Sequence, residues 1–252
     1  MMKKCGLLGK KLGHSYSPAI HAKLGNYEYL LYEKTEEDLE AFVKNGEWDG
    51  LNVTIPYKKT VAPWCDELSE TACRMGAVNT LVRKADGRIF GDNTDVPGFA
   101  ALVRDSGIEV TGKKVLVLGS GGASAAVCTA LQGMDARITV ISRRGEDNYE
   151  NLGKHSDAAV IVNTTPVGMY PDNLNSPLDL GGFPSLEGVL DVVYNPARTG
   201  ILLQAEERGI PYANGLFMLV AQAKRSSELF TGEAIPDETV AKITAELESS
   251  IA

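Results

Sequence analysis

The stretch KKVLVLGSGGASAAVCTALQGM, residues 113–134, constrains the fold of this chain more than any other. Val115–Leu118 is an unbroken apolar run that enters a glycine turn, and the residues after the turn are small and helix-forming. Such a run suits a parallel strand covered on both faces, where polar alternation has no place. A glycine turn leading from that strand into a helix brings free backbone N–H groups to a point where they can meet an anion. Gly119 supplies the tight turn and Gly121 lets the backbone approach a pyrophosphate, while Ser124 stands at the third position of the fingerprint, where Gly or Ala is usual. ARITVIS (136–142), AAVIVN (158–163) and GVLDVVY (188–194) read as further strands, so the spacing predicts a doubly wound α/β unit.

The strand after the glycine helix ends in Ser142-Arg143-Arg144 and not in the acid that would accept from a ribose 2′-hydroxyl. Guanidinium groups offer phosphate oxygens a fixed fork of donors, so this ending favours NADP over NAD. The competing reading leaves both arginines solvated and gives the ribose to Glu146.

Residues 3 to about 95 alternate short apolar runs with helical patterns, among them CGLLG, SPAIHAKLGN, YLLYEK, EEDLEAFVKN and GLNVTI. Asp86-Gly87 lies between two strand-forming runs and predicts a hairpin, which makes this sheet mixed. Ser17 followed by Pro18 reads as a helix cap with proline at the first helical position. Ser15 has no comparable structural task. A linking helix is expected near 96–106, and two last helices near 215–230 and 237–251. The chain of 252 residues is thus expected to form two α/β domains. The first is a mixed α/β domain of residues 1–98 completed by 222–252, and the second a doubly wound, Rossmann-type domain of residues 99–221.

A net charge of −8 argues against generic nucleic-acid binding, which needs a basic face. No apolar run approaches the roughly 20 residues of a membrane span, and no signal-peptide core is present, so no membrane partner is expected. Cys5, Cys65, Cys73 and Cys128 form no C-x-x-C pair, and His14, His21 and His155 build no metal site with them. Free thiols and a cytoplasmic location follow as expectations.

In NVTIPYKK (52–59), alternation puts Asn52 and Thr54 on one strand face, and Pro56 stops the ladder so that Tyr57 and Lys58 emerge at the C-terminal edge. Ligands of open α/β sheets bind at that edge. GAVNT (76–80) and GDNTD (91–95) place further polar groups at strand ends. HSYSP, NVTIPYK, GAVNT, GDNTD, GSGGAS, NTTPVGM, DVVYNP and NGLFMLVAQA occur in this order across residues 9 to about 223, and in this the chain resembles the shikimate dehydrogenase family. Lys11 stands where that family commonly has proline, and Ala22 where it commonly has asparagine.

The resemblance implies reversible reduction of 3-dehydroshikimate to shikimate with NADPH. It implies Lys58 and Asp95 as the catalytic pair at the reacting oxygen, Ser15 and Ser17 as ligands of the ring carboxylate, and Thr54 and Asn79 as contacts to the ring hydroxyls. Tyr194 and Gln222 would reach the substrate from the cofactor side. Gly119, Gly121, Gly122 and Ala123 would form the phosphate turn, Ser142, Arg143 and Arg144 would hold the 2′-phosphate, and Thr164 and Thr165 would line the dinucleotide. Gly215 and Met218 would approach the nicotinamide. The expected partner is a small molecule, and the expected state a monomer or homodimer. A shikimate/quinate dehydrogenase that also uses NAD is the nearest alternative. An alternative of another class is a nucleotide-responsive binding protein that kept the fold and lost the chemistry.

Overall fold

The computed structural model describes residues 2–13 and 15–251, apart from the side chains of residues 250 and 251; His14 of the HSYSP motif lies outside the described residues. The chain divides into two units, one holding the residues up to Thr94 with Gln222–Ile243, the other Asp95–Ala221 with Thr244–Ala252.

The first unit is built on a six-stranded sheet in the order β2-β1-β3-β5-β6-β4. Its elements are β1 (Lys4–Gly9), α1 (Ser17–Leu24), β2 (Glu28–Glu33), α2 (Glu36–Asn45), β3 (Gly50–Val53), β4 (Glu67–Leu68), α3 (Glu70–Met75), β5 (Thr80–Arg83) and β6 (Ile89–Asp92). β1 lies parallel to β2 and β3, whereas β5 is antiparallel to both β3 and β6, the latter across the Asp86-Gly87 hairpin. Helix α2 covers this sheet with Leu39 and Val43, one turn apart and both fully buried among Leu8, Leu51 and Leu81. Its start is fixed by Thr35, whose hydroxyl accepts from Asp38 N and donates to Asp38 Oδ2.

Two expectations need correction here. Ser17 does not cap α1: Tyr16 occupies the capping position, its side chain making no capping bond, and Ser17 and Pro18 begin the helix. Instead the Ser17 N–H donates to Ser15 Oγ at 3.2 Å, a local serine turn that gives Ser15 the structural task it lacked in the sequence. Tyr57 does not emerge at the strand edge either. Its ring is 1% exposed in the core and its hydroxyl donates to Lys34 O at 2.7 Å, because an aromatic body gains more from burial than from water once its hydroxyl is paired.

The second unit holds α4 (Asp95–Ser106), β7 (Lys114–Leu118), α5 (Gly122–Gln132), β8 (Arg137–Ile141), β9 (Val160–Asn163), β10 (Gly188–Asp191), α6 (Gly200–Glu207) and β11 (Tyr212–Ala213). All five strands are parallel, in the order β11-β10-β9-β7-β8. The period of two along a strand explains the unbroken apolar runs. Val115 and Val117 pack with Phe99, Leu102 and Leu131 of α4 and α5, whereas Leu116 and Leu118 pack with Ile201, Leu202 and Phe183 on the other face. The chain leaves β7 for β8 on one side and returns to β9 on the other, so β7 marks the switch point of the sheet.

Helix α7 (Leu216–Thr231) contains the boundary between the units, and α8 (Glu238–Ile251) follows it. The boundaries differ slightly from those expected. Residues 95–98 belong with the second unit because they open α4, and only Gln222–Ile243 of the C-terminal stretch joins the first. Among the described residues no helix is long and apolar enough to cross a membrane.

On α2 the buried stripe should outweigh the cap. Leu39→Ala is expected to cost about 2–5 kcal/mol of stability and Thr35→Ala about 1 kcal/mol, as read from urea unfolding midpoints. Equal losses would mean that α2 is held by its end and not by its face.

Candidate active site

Polar groups of the first unit collect where its strands end. Thr54 follows β3 and is held by its N–H to Leu8 O at 2.9 Å. Lys58 lies one turn further on, half-buried, its carbonyl accepting from Val78 N at 2.8 Å. The next residue, Asn79, is tied through its N–H to Asp92 O, so the NVTIPYK, GAVNT and GDNTD segments are bonded to one another through their backbones.

Beneath them lies a buried hydroxyl network. Asn79 is 3% exposed, and its Oδ1 accepts from Thr94 N at 2.7 Å and from Thr80 Oγ1 at 3.0 Å, which fixes the amide with its NH₂ away from Thr94. Ser226 of α7, fully buried, accepts from Asn52 Nδ2 at 2.7 Å and donates to Gln222 O at 3.0 Å. Its oxygen also lies 2.9 Å from Thr80 Oγ1 and 3.1 Å from Thr94 Oγ1. Thr94 Oγ1 in turn reaches Gln222 Oε1 at 3.3 Å. Asn52 Oδ1 accepts from the Tyr29 hydroxyl at 2.8 Å. One chain of bonds therefore links Tyr29 of β2 to Asn79 and Gln222. No local pattern marks Thr80, Ser226 or Tyr29 for this role, since their partners lie up to 174 residues away.

The second unit holds a cavity of about 590 Å³ at the C-terminal ends of β7, β8 and β9. Gly119, Gly121, Ser142, Arg143, Thr164 and Thr165 all line it, as do Ser120, Tyr149, Pro166, Val167 and Pro177. Gly119 has φ +106°, and a Cβ there would meet Thr164 Oγ1 at 2.9 Å. Gly121 precedes α5, and a Cβ on it would enter open space within the cradle that a diphosphate needs. The first turn of α5 has no acidic residue to oppose an anion. Gly122 and Ala123 belong to that first turn and do not line the cavity. Ser124 is buried beside the Cys128 thiol, so the hydroxyl at the third fingerprint position is accommodated inside α5.

Of the two arginines Arg143 lines the cavity, and Arg144 is exposed without lining it. Glu146 likewise stands apart from the lining, and Asp147 is engaged with His155 Nε2 at 2.8 Å. The residues present thus fit a dinucleotide with a 2′-phosphate. Gly215 is needed for packing, since a Cβ would come 2.1 Å from Val192 O, and Met218 is 9% exposed in the core around Phe99. Asp95 is the first residue of α4 and Tyr194 follows β10, both half-buried. Tyr149 escapes a reading of the sequence because it sits in a polar loop with no periodicity. No group of three or more His, Cys, Asp or Glu among the described residues is placed to hold a metal ion.

Comparison with known proteins identifies the family. Residues 7–81 match the model of the shikimate dehydrogenase substrate binding domain. The chain is 38% identical to the shikimate dehydrogenase (NADP(+)) of Caldicellulosiruptor bescii over 88% of its own length and 87% of the relative's. Among solved structures it superposes with TM-score 0.94 and 37% identity on a chorismate mutase/shikimate 5-dehydrogenase fusion protein from Clostridium acetobutylicum, covering 100% and 99% of the two chains. It superposes with TM-score 0.88 and 32% identity on shikimate 5-dehydrogenase of Thermus thermophilus in complex with NADP(H) and shikimate, covering 97% and 99%. The chain belongs to the shikimate dehydrogenase family.

Within this family member His21 is a buried support for the network. It is 1% exposed, its Nδ1 lies 2.6 Å from Tyr27 Oη, and its ring stacks on Tyr29 at 4.0 Å. Burial lowers its pKa from 6.5 to about 3, opposed only in part by the Asn52 amide. Below pH 6.5 the unfolded chain takes up this proton and the folded chain does not until about pH 3, so stability present above 6.5 is lost as the pH falls through that window. His21→Phe, which keeps the stack, should flatten the fall of the thermal midpoint between about pH 7 and about pH 4.5 by up to one proton's worth of slope. An unaltered slope would show that His21 is not neutral in the fold.

Proposed function

We propose that this chain catalyses the NADPH-dependent, reversible reduction of 3-dehydroshikimate to shikimate, a step toward chorismate and the aromatic amino acids. The observation that carries the reading is the cavity at the switch point of β7, with its glycine cradle and Arg143, in a chain whose other unit holds Lys58 above an ordered network of amides and hydroxyls. NADPH supplies the hydride when it is bound.

Reduction of a ketone leaves negative charge on its oxygen, and a cation or proton donor within hydrogen-bond reach lowers that barrier. Lys58 is assigned this task. Its ammonium holds the carbonyl oxygen and gives it a proton, and in the reverse direction the amine takes the proton back. Asp95 is assigned as its catalytic partner, accepting from the substrate hydroxyl. Ser15 already accepts from Ser17 N–H, which leaves its own O–H proton to donate to the ring carboxylate, alongside Ser17. Asn79, held by its Oδ1 to Thr94 N and Thr80, is assigned to a ring hydroxyl. Thr54, Gln222 and Tyr194 complete the substrate contacts.

For the cofactor, Gly119, Gly121, Gly122 and Ala123 are assigned to the diphosphate, Ser142, Arg143 and Arg144 to the 2′-phosphate, and Thr164 and Thr165 to the dinucleotide wall. Gly215 and Met218 are assigned to the nicotinamide end. A cytoplasmic setting suits four cysteines that are all free, two of which, Cys5 and Cys65, have thiols pushed by burial up to about 12.

The deciding experiment is the kcat/KM of shikimate and of quinate oxidation, each with NADP and with NAD. The expected result is strong preference for shikimate with NADP. Turnover of quinate or with NAD would instead place the chain with dual-specificity enzymes, and no turnover with any pair would favour the binding-protein alternative.

Two substitutions resolve the roles. Lys58→Ala should lower kcat by roughly 10²- to 10⁴-fold with NADP affinity little changed. Arg143→Ala should raise the KM for NADP by about tenfold and leave that for NAD nearly constant, because only the 2′-phosphate loses a charged donor. A parallel loss with both nucleotides would remove Arg143 from the 2′-phosphate site.

A further inference from the structure

Asp191 of the DVVYNP motif is fully buried at the end of β10, and none of the functional assignments above uses it. Burial pushes its carboxyl up to about 6, and the groups that oppose this are a hydroxyl, a backbone N–H and a carboxamide, not a cation. A carboxyl placed so must be doing something with its oxygens, because an apolar residue would fill the same space at less cost.

Its two oxygens take three donors, one from two residues further along its own segment and two from elsewhere in the chain. Oδ1 accepts from Val193 N at 2.9 Å and from Asn163 Nδ2 at 3.0 Å, and Oδ2 accepts from Thr199 Oγ1 at 2.7 Å. Asn163 is the register partner of Asp191 on the neighbouring strand β9. Having given its NH₂ to Asp191, Asn163 turns Oδ1 toward Thr165, accepting from its N at 3.0 Å and its Oγ1 at 2.7 Å. Thr165 lines the cavity. Val193 lies two residues beyond Asp191 on the same segment, directly before Tyr194. The third donor, Thr199, is the residue before α6 and leads to neither.

We propose that Asp191 is a positioning residue that locks the cavity wall at Thr165 to the loop carrying Tyr194, so that one buried acceptor sets both the NADP site and the placement of Tyr194. This rests on the reading of the cavity as the NADP site. The Oδ1 branch carries the function, and the Oδ2 branch to Thr199 carries stability alone. Asparagine can imitate this arrangement: its carbonyl serves Val193 and Asn163, while its NH₂ donates to the Thr199 hydroxyl, which can rotate to accept.

The test measures NADP affinity calorimetrically, with the shikimate KM and kcat and the thermal midpoint, for the unmutated protein, Asp191→Ala, Asp191→Asn and Thr199→Val. Asp191→Ala should weaken NADP binding by roughly ten- to hundredfold, the size of lost buried hydrogen bonds, and raise the shikimate KM with it. Asp191→Asn should restore both. Thr199→Val should lower the midpoint and leave both binding constants near those of the unmutated protein. If Asp191→Ala binds NADP normally, if asparagine fails to rescue, or if Thr199→Val weakens binding as much as Asp191→Ala, the proposal is overturned.

Absence of NADP binding by the unmutated protein would overturn the cavity reading itself, and this inference with it. Should Asp191→Ala not fold, amide exchange of the unmutated protein decides. Added NADP should slow exchange of the Val193 amide together with that of Thr165, and slowing of Thr165 alone would refute the link.

Discussion

A parallel strand covered on both faces can offer polar groups only at its ends, and β7 imposes this on the whole second unit. Its side chains alternate between two apolar cores, so nothing along its length can bind a ligand. At its C-terminal end the chain reverses direction across the sheet, and the turns after β7, β8 and β9 are left facing one space. The glycine turn, the Ser142-Arg143 corner and the Thr164-Thr165 wall follow from that arrangement. The first unit obeys the same rule, with Thr54 and Asn79 beside strand ends and Lys58 on the turn between them.

The units differ in how they hold their polar groups. In the second, a single buried carboxylate collects donors that backbone, hydroxyl and amide groups supply. In the first, hydroxyls of Thr80, Thr94 and Ser226 share protons with the amides of Asn52, Asn79 and Gln222. Each hydroxyl has one proton to give and can rotate to suit its neighbours, so this network can rearrange around what it binds at little cost. A carboxylate anchored by three donors has no such freedom.

The parallel strands, the hairpin and the glycine turn were legible in the sequence because each is written in adjacent residues: unbroken apolar runs, Asp86-Gly87, and GSGGAS after a strand. Of the cavity lining, Gly119, Gly121, Ser142 and Arg143 were legible for the same reason, whereas Thr164 and Thr165 were pointed to only by the family resemblance of NTTPVGM. What escaped depends on partners distant in the chain. Ser226 reads as an ordinary helical serine until α7 meets β3 and β5, and Tyr29 as a strand residue until Asn52 lies against it. Ser17 and Tyr57 misled for a different reason. Local spacing favoured a cap and an exposed edge, but the turn onto Ser15 starts α1 one residue early and the Lys34 carbonyl holds Tyr57 inside.

The alternation along β7 makes the strand a divider whose positions are sorted by parity. Val115 and Val117 belong to the packing of α4 and α5, and Leu116 and Leu118 to that of α6 and the segment around Phe183. The two cores are therefore separable in design although they share one backbone. Probes at Leu116 and Val117, one residue apart, would report on opposite sides of the sheet, and a volume change on one side could be repacked without touching the other.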